Sequence, residues 1–174
     1  MSSLLACNCM LNLINKFNAG VGKSAAWLAL AMVVLEFVVV LLRYAFEWGS
    51  IALQEGVIYM HASLFMATAA WALQTDGHVR VDIFYREMAA KNKAKVNLFG
   101  ALVLLMPVSL FLFYISWDYV ALSWEIREGS KETGGLDAVF LLKSLMPLAA
   151  GMLVLQAIAQ AGQSIVTITG GDDA

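Results

Sequence analysis

The chain has 174 residues, of which 61% are hydrophobic and 14% charged, with a formal net charge of −2. Soluble domains carry about 25% charged residues, and a soluble core of this size cannot absorb so much apolar surface, while 9 Phe, 5 Trp and 9 Met exclude a disordered chain. Lys and Arg are too few and too dispersed for a nucleic-acid surface, so a membrane protein remains.

At the N-terminus, Cys7 and Cys9 stand without the His or further Cys of a zinc site and read as ordinary thiols. Leu4-Leu5-Ala6-Cys7 lacks the charged start and long apolar region of a lipoprotein signal. Neither lipidation nor cleavage is expected, and residues 1–23 are expected to form a cytoplasmic segment ahead of a retained signal anchor. The apolar runs that follow are Ser24–Leu42, Gly56–Thr75, Val96–Trp117 and Ser144–Gly171. Each meets the requirement of about 20 apolar residues for a core of about 30 Å. With flanking turns the spans fall at about 24–43, 54–75, 96–117 and 144–168. Continuous apolarity demands helices, since a barrel strand would alternate. The expected fold is all-α: one integral membrane domain of four transmembrane helices.

In the first span, Glu36 lies near mid-membrane and Arg43 follows seven residues later on nearly the same face, about 10 Å along the axis and too far for a simple pair. An ionisable group at that depth is costly facing lipid, so Glu36 calls for a contact with another helix or for proton or ion coupling, the remaining reading being a protonated acid with no special role. Trp48 after this helix, with Trp117, Tyr119 and Trp124 after the third, marks the outer interface. In the second span Gln54, His61, Thr68 and Thr75 recur every seven residues, a stripe that suits helix contact. A haem needs a second imidazole at the depth of His61, and His78 is about 25 Å away along a helix, so no cofactor is expected.

Between the second and third spans, Val79, Ile83 and Phe84 precede Arg86, Lys91, Lys93 and Lys95. This suits an in-plane amphipathic helix on anionic lipid, with a solvated basic connection as the other reading. Pro107 sits in mid-span and is expected to kink the third helix, whereas Pro147 sits near the start of the fourth, where it disturbs less. Gln156, Gln160 and Gln163 form a further stripe toward the end of the fourth. With both termini and the middle connection inside, seven Lys and Arg lie in the cytoplasm and four outside, which sets an N-in, C-in orientation. No catalytic set, metal cluster, phosphate loop or internal repeat can be assembled, so no enzyme and no metal is expected.

Three strings then become informative together: Gln54-Glu55; Gly77-His78-Val79-Arg80-Val81-Asp82-Ile83-Phe84-Tyr85; and Glu128-Gly129-Ser130 through Gly134-Gly135-Leu136 to Leu142-Lys143-Ser144-Leu145-Met146-Pro147-Leu148 and Leu155-Gln156. With four spans at these separations, the chain resembles the small membrane subunit (DctQ-like) of tripartite ATP-independent periplasmic (TRAP) transporters. It is most similar to the mannitol or chloroaromatic-type branch, over about residues 25 to 165. It departs from that branch at Asp137, where Pro is usual, and at Met66-Ala67-Thr68, where small Gly-rich residues are usual.

The resemblance implies a multi-pass protein of the bacterial inner membrane. Its partners would be a large DctM-like elevator subunit, a DctP-like periplasmic binding protein and membrane lipids, with no nucleic acid. Its implied role is a static scaffold in ion-driven import of an organic acid. Glu36, Arg43, Gln54, Glu55, His61, His78, Arg80, Asp82, Gln156 and Gln160 are the residues expected to hold the frame or the subunit contact. The alternative is an autonomous proton-coupled multidrug exporter using Glu36, against which the 20-residue second and 26-residue third connections weigh.

Overall fold

The computed structural model describes residues 2–75, 77, 85 and 87–169, with side chains from residue 9 onward. The described residues are helices and connections without strands. Four helices are long and apolar enough to cross a membrane: α1 (Ser2–Phe46), α2 (Ile51–Gln74), α3 (Ala90–Glu125) and α4 (Val139–Thr169). The all-helical, four-span expectation holds. Of the middle connection, residues 78–84 and 86 lie outside the described residues, and most of the expected in-plane helix with them. Lys91, Lys93 and Lys95 belong to the opening turns of α3.

α1 is one unbroken helix of 45 residues, about 68 Å long at 1.5 Å per residue and twice the thickness of a hydrocarbon core. The polar residues that lower hydropathy before Ser24 do not break it. It ends at Glu47, whose φ of 53° turns the chain, with Trp48 N–H donating to the Leu42 carbonyl at 3.1 Å. Ser50 then caps α2, its Oγ accepting from Leu53 N–H at 3.4 Å. The result is a tight hairpin.

α3 carries a π-helical turn over Gly100–Leu105, immediately before Met106-Pro107. Proline lacks the N–H that would bond four residues back and collides with that carbonyl, and a widened turn relieves both problems. The extra residue resets the packing register. Ala94 and Ala101 are buried seven apart, then Ser109, Ser116 and Ser123 are buried seven apart, and the step from 101 to 109 is eight. The expected disturbance at Pro107 is therefore a register shift of one residue that keeps small side chains on one seam.

α4 begins five residues earlier than the apolar run indicates. Pro147 is consequently buried in the helix interior, a correction to its expected place near the start. Ser144 Oγ bonds the Phe140 carbonyl at 2.7 Å and receives Trp124 Nε1–H at 2.7 Å, stitching the turn before the proline to α3. Because α3 also runs on to Glu125, the connection between them shrinks to residues 126–138.

α1 packs antiparallel on α2, α3 on α4, and α2 joins the two hairpins by packing on α4. α4 also touches α1 and is the central helix: 28% of its span is buried, against 6–11% in the others. Small residues make this possible, with Ala149, Ala150, Ala157, Ala159 and Ala161 on α4 all buried. In lipid, close backbone approach replaces the hydrophobic drive that water would supply.

Candidate functional site

At the end of the molecule formed by residues 47–50 and 126–138, Glu55 projects from the second turn of α2. Its carboxylate accepts the Ser130 hydroxyl and, at 2.6 Å, the Leu136 N–H. Gly135 passes so close over this pair that an added Cβ would lie 2.6 Å from Ser130 Cβ and 2.7 Å from Glu55 Oε2. Glycine is the residue that fits there. Glu55 thus pins the whole 126–138 connection onto the α1–α2 hairpin.

A second clamp lies alongside. Glu128 accepts from Lys143 Nζ at 2.5 Å and from Ser123 Oγ at 2.7 Å. The Lys143 ammonium, and secondly the Ser123 hydroxyl, hold the Glu128 carboxyl below its usual range. Lys143 Nζ also sits 4.0 Å from the Tyr119 ring centroid, and the Arg127 guanidinium covers Trp124 and Phe140 at 5.6 and 5.4 Å. The third connection is therefore a bolted cap with both charge signs engaged inside the chain.

Toward the opposite end, Asn18 is fully buried and its Nδ2 donates to Gln156 Oε1 at 2.9 Å, while Gln156 Nε2 reaches Asn15 Oδ1 at 3.4 Å. Gln156 of α4 thus bonds α1 within the chain. A turn further on, Gly22 faces Trp71 of α2, where an added Cβ would lie 2.6 Å from the Trp71 Cβ. The first 23 residues thus supply packing and hydrogen bonds, although the resemblance draws nothing from residues 1–20.

The remaining candidates divide clearly. Gln160 is half-buried beside a polar cavity, and Gln54 is half-buried at the start of α2. Thr68 and Thr75 spend their hydroxyls on carbonyls of their own helix at 2.8 and 3.0 Å, so that half of the α2 stripe is satisfied internally. His61 is exposed. His78, Arg80 and Asp82 lie outside the described residues.

Glu36 and Arg43 are both exposed on α1, without a hydrogen bond or ion pair to another described residue. They continue the seven-residue row of Asn15, Gly22 and Ala29, whose members are buried or half-buried under α4 and α2. Toward the hairpin end that row emerges uncovered. Glu36 borders a shallow apolar hollow of about 340 Å³ with Met32, Val33, Phe37, Val40 and, from α2, Val57. No group of three or more His, Cys, Asp or Glu among the described residues could hold a metal.

Asn15 and Asn18 escaped sequence reasoning, and Ser130, Glu128 and Lys143 entered it only within the third string, without their pairings. A signal for Asn18 existed: Leu11, Asn18, Ala25 and Val39 are buried at multiples of seven residues. No curated protein and no solved structure matches the chain. Residues 32–167 match the family of tripartite ATP-independent periplasmic transporters, DctQ component, taking in the last third of α1, all of α2 and α3 and nearly all of α4. The chain belongs to the DctQ family, the small membrane component of TRAP transporters.

Proposed function

We propose that this small component is a static scaffold. It binds and braces the large DctM-like elevator subunit during ion-gradient-driven import of an organic acid delivered by a DctP-like periplasmic protein, in the bacterial inner membrane. The mannitol or chloroaromatic-type branch is proposed with it, on the Gly77–Tyr85 string and Gly134-Gly135-Leu136. The carrying observation is the contrast on α1: the same helical row is buried against α2 and α4 at one end and presents Glu36 and Arg43 unpaired at the other. A carboxylate in an apolar span needs a donor, and the described part of this chain offers none.

An elevator needs a fixed frame, and the bolted 126–138 cap, the Asn18–Gln156 contact and the long α1 supply rigidity and breadth. The exporter reading gains nothing from this geometry, because Glu36 points to the outside of α1 and not into a cavity closed by the chain's own helices. Glu36→Gln and Arg43→Ala should each lower recovery of the large subunit with the tagged chain, and lower uptake in proportion. Loss of uptake from a complex recovered at full yield would replace the scaffold by a direct transport role.

A further inference from the structure

The cavity beside Gln160 has a volume of about 320 Å³ and lies where α2 ends, α3 begins and α4 approaches its last turns. Its walls bring together Gln74, Ala90, Lys93, Asn97, Gln156 and Gln160. Two kinds of unmet demand converge there. The first is for an anion: Lys93 has no ion pair among the described residues, its ammonium standing 5.6 Å from the Tyr85 ring centroid. Ala90, the first residue of α3, also lines the wall, and the residue before it caps that helix with no side-chain hydrogen bond. The N-terminus of a long helix thus lies at the wall that Lys93 also lines. The second demand is for a donor: Gln74 Oε1 is buried with no hydrogen-bond partner.

The cavity also sits at a boundary. Lys91 and Lys95 are exposed on the first turns of α3, and Val96 and Phe99 directly after them expose apolar side chains. That change from lysine to hydrocarbon along one helix is the level of a lipid head group. We propose that this cavity holds the phosphodiester of a glycerophospholipid whose head group bears an N–H or O–H donor, ethanolamine or glycerol. The phosphate takes Lys93 and the α3 N-terminus, and the head-group donor takes Gln74 Oε1. Choline, which has a phosphate but no donor, meets only the first demand. Inorganic phosphate lacks the acyl chains that would lie along Val96 and Phe99.

The test uses the full-length chain, purified in detergent, stripped of lipid and titrated separately with phosphatidylethanolamine, phosphatidylcholine, which has the same net charge but no head-group donor, and inorganic phosphate. Bound lipid is counted by native mass spectrometry and the melting midpoint is followed in parallel. One phosphatidylethanolamine per chain is expected at about tenfold lower concentration than phosphatidylcholine, with a rise in melting midpoint. Lys93→Gln should weaken that binding about tenfold, and Lys131→Gln, on the opposite end, should leave it unchanged. Gln74→Leu removes only the unpartnered acceptor and should erase the preference over phosphatidylcholine. Equal binding of the two lipids by the unaltered chain overturns the head-group assignment. Displacement of phosphatidylethanolamine by inorganic phosphate at similar concentration makes this a free-anion site and overturns the lipid. Undiminished binding in Lys93→Gln removes the cavity itself.

Discussion

At the scale of single residues, the acids of this chain have opposite fates. Glu55 and Glu128 are engaged within the chain, and Glu36 is not. Position in the sequence did not distinguish them, because Ser130 and Leu136 lie 75 and 81 residues beyond Glu55 and no local pattern announces such a pairing. Glu55→Gln replaces a carboxylate by an amide with one acceptor and a competing donor, so the Leu136 N–H and Ser130 hydroxyl can no longer both be served by charge. Amide exchange across 128–137 should quicken several-fold while exchange in mid-α4 is unchanged. Glu128 makes a pH prediction. A carboxyl held below its usual value in the folded chain adds stability that is complete above the ordinary carboxylate range, about pH 4.3, and is lost as pH falls through the lowered folded value. The 126–138 cap should therefore stay protected from pH 7 down to that range and loosen only below it. In Glu128→Gln the protection should be weaker at neutral pH and its loss in that window smaller, what remains coming from the Glu55 carboxylate that holds the same cap.

At the scale of elements, hydropathy located all four helices but misjudged their ends, for one physical reason. A hydropathy window sees Asn12, Asn15, Lys16, Asn18 and Lys23 as a retreat from lipid, whereas the helix needs only that each buried amide find a partner. Asn18 finds Gln156, and α1 continues to Ser2. The ends of α3 and α4 at Glu125 and Val139 were obscured in the same way by the polar cap that joins them. Pro107 was legible as a disturbance, but its outcome was not, since a π turn that shifts the seam from Ala101 to Ser109 depends on what α4 presents opposite. Replacing Asn18 by Ala leaves the Gln156 acceptor buried and unpaired. The coupling between Asn18 and Gln156, read from a double-mutant cycle in thermal unfolding, should be about 0.6–1.7 kcal/mol, the scale of hydrogen bonds between membrane helices. Asn18→Leu combined with Gln156→Leu should recover much of the loss from either single change, because only the half-buried Asn15 then loses a partner.

At the scale of the whole molecule, lateral order was the least legible property. Four helices of similar apolarity carry no label saying which is central, because lipid tails and leucines are equivalent neighbours. Only the runs of Ala on α4 and the sevenfold Ser on α3 hint at it, and they become readable once the register shift is known. The same arrangement leaves most large apolar residues of α1 outward, with Trp27, Val33 and Phe37 at 73%, 63% and 66% exposure. Lipid alone can cover Trp27, but acyl chains cannot donate to Glu36, so the two kinds of surface should part company in the assembled transporter. In a background with Cys7 and Cys9 replaced by Ser, a cysteine at Phe37 or Val40, beside Glu36, should crosslink to the large subunit. One at Ala159, which has no exposed surface, should not. The crosslinks should persist through the transport cycle at undiminished yield, since a static frame keeps its contacts while its cargo-bearing partner moves. Crosslinking at Phe37 that rises and falls with substrate and coupling ion would place α1 against the moving part, and a rigid brace could not then be its role.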